Sequence, residues 1–453
     1  NAGFKSVPTK GLRKIIDEWK DKAAELLMSD VHPGSGARPG MTTNAALSAV
    51  IRRTSDNLKW LYNSVPESHR AKTRRWYNGA KRVSRSFATR YNFSEEQSAA
   101  VIAVLSPGTD WFQNVSHAER LLDIWTQHQD TAWSSEMDKA IDTIAWWNKA
   151  NSQQRRDKKL LRGKTLRDFD GDVYMQALWV RAYIEGMQDL KFRALSPTGN
   201  FTDWVRKKNK SPAKFKVQST ANIIKALQVI TQASDRSNIS SALGANHKVR
   251  SFYNNIIAPD SDAGDVTMDT HAIAAAFLMP LSISSPQVEA NFGTPANAHT
   301  GFIGLYNVYA EAYRKAAADL GILPRELQSV TWEAVREMFP REWKSTEALE
   351  DVEAIWREVD NGTISPAQAR KRILDYAPAD PGSPTPVPDT GGAAHLGPTS
   401  YERKLPDGGV RQPARGRSGS RSTGALALEQ LPALTSPYER ETRAAFIKWF
   451  GRS

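Results

Sequence analysis

Apolar residues recur at helical spacing along most of the chain. Leu12, Ile15, Ile16, Trp19, Ala23, Leu26 and Leu27 share one face, which predicts an amphipathic helix over 10–28. A Gly/Pro-rich break, His32-Pro33-Gly34-Ser35-Gly36, follows. From Thr43 to Trp125 the pattern is helical almost throughout, with breaks near Val65-Pro66, Tyr91-Asn92 and Ser106-Pro107. The stretch 131–215 is less regular and very basic: Arg155, Arg156, Lys158, Lys159, Arg162 and Lys164 cluster, and so do Arg206, Lys207, Lys208 and Lys210. Helical periodicity returns at 217–232, 247–257 and 269–279, and again at 301–320, 329–338, 346–359 and 365–376. Strand-like alternation never extends beyond a few residues and no internal repeat is present, so the fold class expected is mainly α.

After residue 376 the pattern stops. Pro, Gly, Ser, Thr and Arg dominate 377–428, and such a segment buries too little apolar surface to offset its ordering entropy. The expected organisation is an N-terminal helical extension (1–65), a helical domain (66–376) carrying the basic insertion 131–215, a disordered linker (377–436) and a short C-terminal helix (437–453). That last helix gathers Phe446, Trp449 and Phe450 on one side.

Composition narrows the possible partners. At 453 residues the chain exceeds one ordinary domain, or is one enlarged domain. A net charge of +12 favours an anionic partner, nucleic acid first, unless the excess lies in solvated faces and tails. The chain has no cysteine, which excludes disulfides, thiolate zinc sites and iron–sulfur clusters. It has no run of about 18 apolar residues, so no transmembrane helix is expected. Residues 1–30 lack the apolar core of a signal peptide. The chain begins at Asn1 rather than Met, as expected of a processed chain or a piece of a longer polypeptide. Asp168-Phe169-Asp170-Gly171-Asp172 hints at a cation loop but lacks the bidentate Glu at the needed offset, so it reads as a turn. No phosphate-cradling glycine loop occurs, and neither a cofactor nor a metal is expected.

Two segments carry the candidate chemistry. Ala242-Leu243-Gly244-Ala245-Asn246-His247-Lys248-Val249 reads as a tight hairpin that opens a helix with a lysine just inside it. Asp265-Val266-Thr267-Met268-Asp269-Thr270-His271 reads as an apolar approach to one carboxylate that starts another helix. Together with Val101-Ile102-Ala103-Val104-Leu105-Ser106-Pro107-Gly108-Thr109-Asp110, which leads to Ala118-Glu119-Arg120-Leu121-Leu122, and with the helix beginning Lys216-Val217-Gln218-Ser219, these segments occur in the order of a known superfamily. The sequence resembles the helix-hairpin-helix DNA glycosylases of the endonuclease III and 8-oxoguanine glycosylase type, over roughly 85–125 and 216–280. It is also similar to glycosylase-like proteins of bacteriophages and mobile elements.

The resemblance implies a two-subdomain helical bundle that binds duplex DNA and flips a modified base out of the stack. Lys248 falls where lyase members carry their nucleophilic amine, and a lysine attacks only when neutral. Asp269 falls at the essential carboxylate, positioned to stabilise charge on the sugar or to activate the nucleophile. The resemblance assigns DNA contacts to Gly244, Ala245, Asn246, His247, Arg250, Ser106 and Gly108, and base-pocket roles to Trp111, Phe112 and His271. Gly108 and Asn246 depart from the usual pattern, which places a Gln in the first loop and a second Gly in the hairpin. Plainer roles stand beside these: a helix cap for Asp269, a solvated or phosphate-contacting lysine for Lys248, a packed histidine for His271. Two other functions stay open, namely modification of a hypermodified base without excision, and an inactive DNA-binding or virion-associated protein. The expected location is the cytoplasm of a bacterial host or the virion.

Overall fold

The computed structural model describes residues 24–25, 27–29, 32–142, 152–196, 199–207, 209–232, 236–244, 247–292, 305–340, 343–377, 403–404 and 410–411. The helix expected over 10–28 lies almost wholly outside these residues. So does most of the segment from 378 onward, including the short helix expected near the C-terminus. The described chain is mainly helical and forms two compact units. Of the described residues, those up to 78 and those from 247 to 377 form the first unit, and those from 79 to 244 with 403–404 and 410–411 form the second.

Local chemistry starts and stops the helices where the apolar pattern breaks. Helix Thr43–Ser64 opens on Thr42, whose side chain accepts from Ala45 N, and ends before Val65-Pro66. Helix Glu95–Val104 opens on a reciprocal capping box in which Ser94 and Gln97 satisfy each other's backbone N–H. Asp110 caps Trp111–Gln127, Asp172 caps Val173–Met187, and Ser365 with Gln368 boxes Pro366–Tyr376. The Asp168 cluster is used up in such local work. Asp168 accepts from Thr165, Asp170 accepts from Gln176, and Asp172 is the cap just named.

Helix Val173–Met187 has no counterpart in the periodicity, because twelve of its fifteen residues are buried and it has no polar face to set a phase. In the second unit it stacks Trp179 on Tyr183 at 5.0 Å and meets Trp133 edge-on at 5.7 Å. Strands Arg193–Leu195 and Phe201–Trp204 pair antiparallel with an irregular register. The first unit has one large apolar core. It joins Leu58 and Leu61 of the Thr43–Ser64 helix to Ile273 and Phe277, Tyr309 and Tyr313, Leu327 and Val330, and Trp356. Its helices are Thr43–Ser64, Glu67–Thr73, His247–Ile257, Thr270–Phe277, Pro286–Phe292, Tyr306–Leu320, Pro324–Met338, Thr346–Asp360 and Pro366–Tyr376. Among the described residues, no helix is long and apolar enough to cross a membrane.

Candidate active site

The segment leading to Asp269 is anchored on both sides of its backbone. Val266, Thr267 and Met268 are buried. The Tyr306 hydroxyl donates to Val266 O at 2.6 Å and accepts from Met268 N at 3.1 Å. Thr267 Oγ1 receives Tyr77 OH at 2.8 Å and Asn255 Nδ2 at 3.2 Å, and Gln328 Oε1 lies 2.8 Å from the same Tyr77 hydroxyl. Burial holds both phenols, Tyr77 and Tyr306, well above their ordinary pKa, so they stay protonated and act as fixed donors.

Asp269 emerges from this anchored segment in extended backbone (φ −124°, ψ −175°) and caps Thr270–Phe277. Its Oδ1 accepts from Ala272 N at 2.8 Å. Its Oδ2 accepts from the Trp332 indole N–H at 3.0 Å. One N–H on each oxygen fixes the plane of the carboxylate and leaves further lone pairs on both oxygens. The capping role is therefore present, but it engages only one oxygen.

Lys248 is the second residue of helix His247–Ile257 and is half-buried. Burial pushes its ammonium below the ordinary lysine value, and the Asp269 carboxylate opposes that shift. The two groups thus sense each other within the first unit. His247 stacks on Tyr306 at 5.3 Å, and burial lowers the Arg250 guanidinium. His271 packs edge-on against Trp332 at 5.3 Å, and its Nε2 is 3.0 Å from Lys344 Nζ. Burial holds this imidazole well below its ordinary value, and Lys344, Arg336 and Lys248 push the same way. Arg336 lies over the Trp332 ring at 4.5 Å. Trp76 continues the aromatic surface, 6.4 Å from Trp332 and 6.3 Å from Phe252.

The other candidate residues distribute differently. Ser106, Gly108, Trp111, Phe112 and Gly244 belong to the second unit. There Gln218 Nε2 pins the Ser106 loop by donating to Leu105 O at 2.9 Å and Pro107 O at 2.7 Å. Gly108 is exposed with φ +71°, a left-handed turn residue, while Trp111 and Phe112 open their helix half-buried. Gly244 has φ +65° and ends helix Arg236–Leu243, its N–H bonding Ser241 O at 3.0 Å. Ala245 and Asn246 lie outside the described residues, so the hairpin is seen only at its two ends.

A family of unknown function (DUF7178) matches residues 41–160 and 192–339, more than half of the chain. The chain belongs to this family. The match spans Lys248, Asp269, His271, Trp332 and Arg336 and ends before Lys344. It also takes in 131–160 and 192–215, so most of the stretch read as an insertion is part of the family's own length. No curated protein and no solved structure matches the chain.

The partners of Asp269 and His271 come from distant parts of the chain. Trp332 stood among the aromatics, with Trp76, Tyr77, Trp111 and Phe112, that could stack on an extruded base, and its bond to Asp269 was not foreseen; Arg336 and Lys344 carried no signal. Trp332 reaches Asp269 from 63 residues away and Lys344 reaches His271 from 73, and no local pattern encodes such distances.

Proposed function

We propose that this member of the family is a DNA glycosylase with lyase activity, acting on a modified or damaged base flipped out of duplex DNA. The observation that carries the proposal is the pair formed by Asp269, an oriented carboxylate, and Lys248, an amine that burial makes easier to deprotonate. The net charge of +12 supports a polyanionic substrate.

The neutral Lys248 Nζ attacks C1′ of the nucleotide. The bond from C1′ to the base breaks, and the base leaves with the electron pair and takes up a proton. Asp269 stabilises the positive charge that grows on the sugar and accepts the proton shed by the attacking amine. Ring opening gives a Schiff base between the sugar and Lys248. Loss of a proton from C2′ then expels the 3′ phosphate. The indole N–H of Trp332 keeps Asp269 aimed through both steps.

Borohydride trapping on duplex DNA with abasic sites and a panel of modified bases tests this reading. A covalent adduct is expected with the native chain and none with Lys248→Ala. Asp269→Asn keeps a capping side chain and should cut the rate by about 10²–10⁴-fold. Trapping should rise with pH, with its inflection below the ordinary lysine value of 10.5. Base release without an adduct would make water the nucleophile. DNA binding with neither release nor adduct would sink the excision reading and leave base modification or a binding role.

A further inference from the structure

The short hairpin of the second unit sorts its residues by face. Strands Arg193–Leu195 and Phe201–Trp204 pair antiparallel, with Arg193 opposite Trp204. Two further bridges extend the pairing, Lys191 opposite Lys214 and Arg206 opposite Pro212. Residues opposite each other share a face of a sheet, and so do residues two apart on one strand. Lys191, Arg193, Trp204, Arg206, Lys214 and Lys216 therefore fall on one face. The residues between them, Phe192, Val205, Phe215 and Val217, fall on the other and are buried. That buried face fixes the register, because a slip of one residue would turn it out to solvent.

The backbone is held as firmly as the register. Val205 N–H donates to Phe192 O at 2.9 Å, Ala213 N–H to Val205 O at 2.7 Å and Phe215 N–H to Leu190 O at 3.0 Å. Phe192 and Phe215 meet edge-on at 6.5 Å, and Lys216 N–H donates to Gln113 Oε1 at 3.3 Å. The cations are thus set on a fixed grid, about 7 Å apart along a strand and about 5 Å across strands.

Like charges directly opposite each other weaken a sheet, yet Lys191 faces Lys214. Two carboxylates adjoin the grid. Asp189 pairs with Lys191 at 2.7 Å and also senses Lys214, while Asp203 alternates with Trp204 toward the other face. Among the described residues Arg193, Arg206, Lys214 and Lys216 make no ion pair, and Lys214 and Lys216 are exposed. The turn beyond the Arg206 bridge adds exposed Lys207 and Lys210, and Arg206 Nη1 braces it by donating to Lys210 O at 3.2 Å. Trp204 is the aromatic residue of the basic face, and Arg193 lies over its ring at 5.0 Å. A single strand is gripped by stacking its bases on aromatic rings. Here the ring already carries a guanidinium, so the face offers charge instead. Such a grid suits the phosphate rows of a duplex, which carries one negative charge per about 1.7 Å of axis.

We infer that this face of the second unit is a duplex-DNA surface, whose cations contact backbone phosphates and hold the polymer independently of its sequence. The inference takes the polymer from the proposed function and nothing from the chemistry at Lys248 and Asp269.

The test uses the full chain and an undamaged duplex of mixed sequence, titrated by fluorescence anisotropy over a salt series. A single strand of the same length and vesicles of anionic lipid are titrated beside it. Replacing exposed Lys214 and Lys216 leaves the apolar face intact. Lys214→Ala combined with Lys216→Ala is expected to weaken duplex binding about tenfold and to lower the slope of log K against log salt by about two. Lys214→Arg with Lys216→Arg should keep most of both, and trapping at saturating abasic duplex should stay at the native level in either. Unchanged duplex affinity and slope in the alanine variant would overturn the surface and leave the excision reading intact. A loss confined to the single strand or to the vesicles would overturn it as a duplex surface. Equal losses in the alanine and arginine variants would overturn it in favour of a structural role. Lysine-dependent duplex binding without any trapped adduct would keep the surface and sink the excision reading, and a full chain that binds no duplex would overturn both.

Discussion

Arg120 in the second unit and Asp269 in the first each carry a charge away from bulk water, and the chain finishes the two in opposite ways. The Arg120 guanidinium is fully buried. It donates to Asp189 O at 2.7 Å and Lys191 O at 2.6 Å, bonds Ser116, and lies over the Phe215 ring at 4.6 Å. Its charge is spread over carbonyl dipoles and a ring face, and it joins the Trp111–Gln127 helix to the approach of the short hairpin. A neighbouring imidazole is pushed down to about 3 at both places, His117 beside Arg120 and His271 beside Asp269; what differs is that each Asp269 oxygen accepts one N–H and keeps acceptor lone pairs. Donors spent on backbone carbonyls of the same unit hold a fold, whereas a carboxylate oriented by two N–H groups with acceptor capacity left over is open to act on something else.

The largest effect should come from removing the Arg120 donors. Arg120→Met keeps the apolar stem and removes the donors, and is expected to destabilise the second unit by about 3 kcal/mol, since hydrogen bonds to charged groups are the strong ones. Denaturant unfolding checks this. Trapping per folded molecule should not change; a loss of trapping in the folded variant would mean that the two centres are not separable as argued.

A smaller effect is expected at the hinge between orientation and chemistry. Trp332→Phe keeps a ring against His271 and Arg336 but removes the N–H that holds Asp269 Oδ2. Roughly a tenfold loss in the rate of the chemical step should follow, with little change in duplex affinity. Single-turnover kinetics separate the two, and an unchanged rate would strip Trp332 of its positioning role.

The smallest effect concerns stability and has the opposite sign to the first. Lys344 titrates at about 8 in the folded chain against an ordinary 10.5. Between those values the folded state holds fewer protons than the unfolded one, so stability rises with pH across that window; below it the penalty is complete. Lys344→Met should therefore be slightly more stable than the native chain at pH 7 and lose that advantage between about 8 and 10.5. Melting temperatures over a pH series measure it. A variant less stable at pH 7 would show that the ammonium is compensated, and the contrast with Arg120 would fail.

Much of the helical frame could be read from the chain, and the reasons are visible in particular residues. Val65-Pro66 and Ser106-Pro107 break helices because proline disfavours helical backbone in the residue before it. Ser94 and Asp269 announce helices because a short oxygen-bearing side chain satisfies the first free N–H groups. Lys248 stood out for its place just inside a turn–helix pattern, and Asp269 for following an apolar run and opening a helix. Val173–Met187 did not, since a helix buried on nearly every side has no amphipathic phase. Tyr306 was silent, and Gln218 and Trp332 were noted without their partners, because each bonds a residue far away in sequence.

By itself, the sequence determined a mainly helical chain and the positions of an amine and a carboxylate, because caps, turns and periodicity are short-range effects. Tertiary structure alone decided which groups answer that carboxylate. The indole of Trp332 on one oxygen and the Lys344 ammonium on His271 arise only when the first unit packs its helices into one core. Pairing across more than sixty residues is set by that packing and by nothing local.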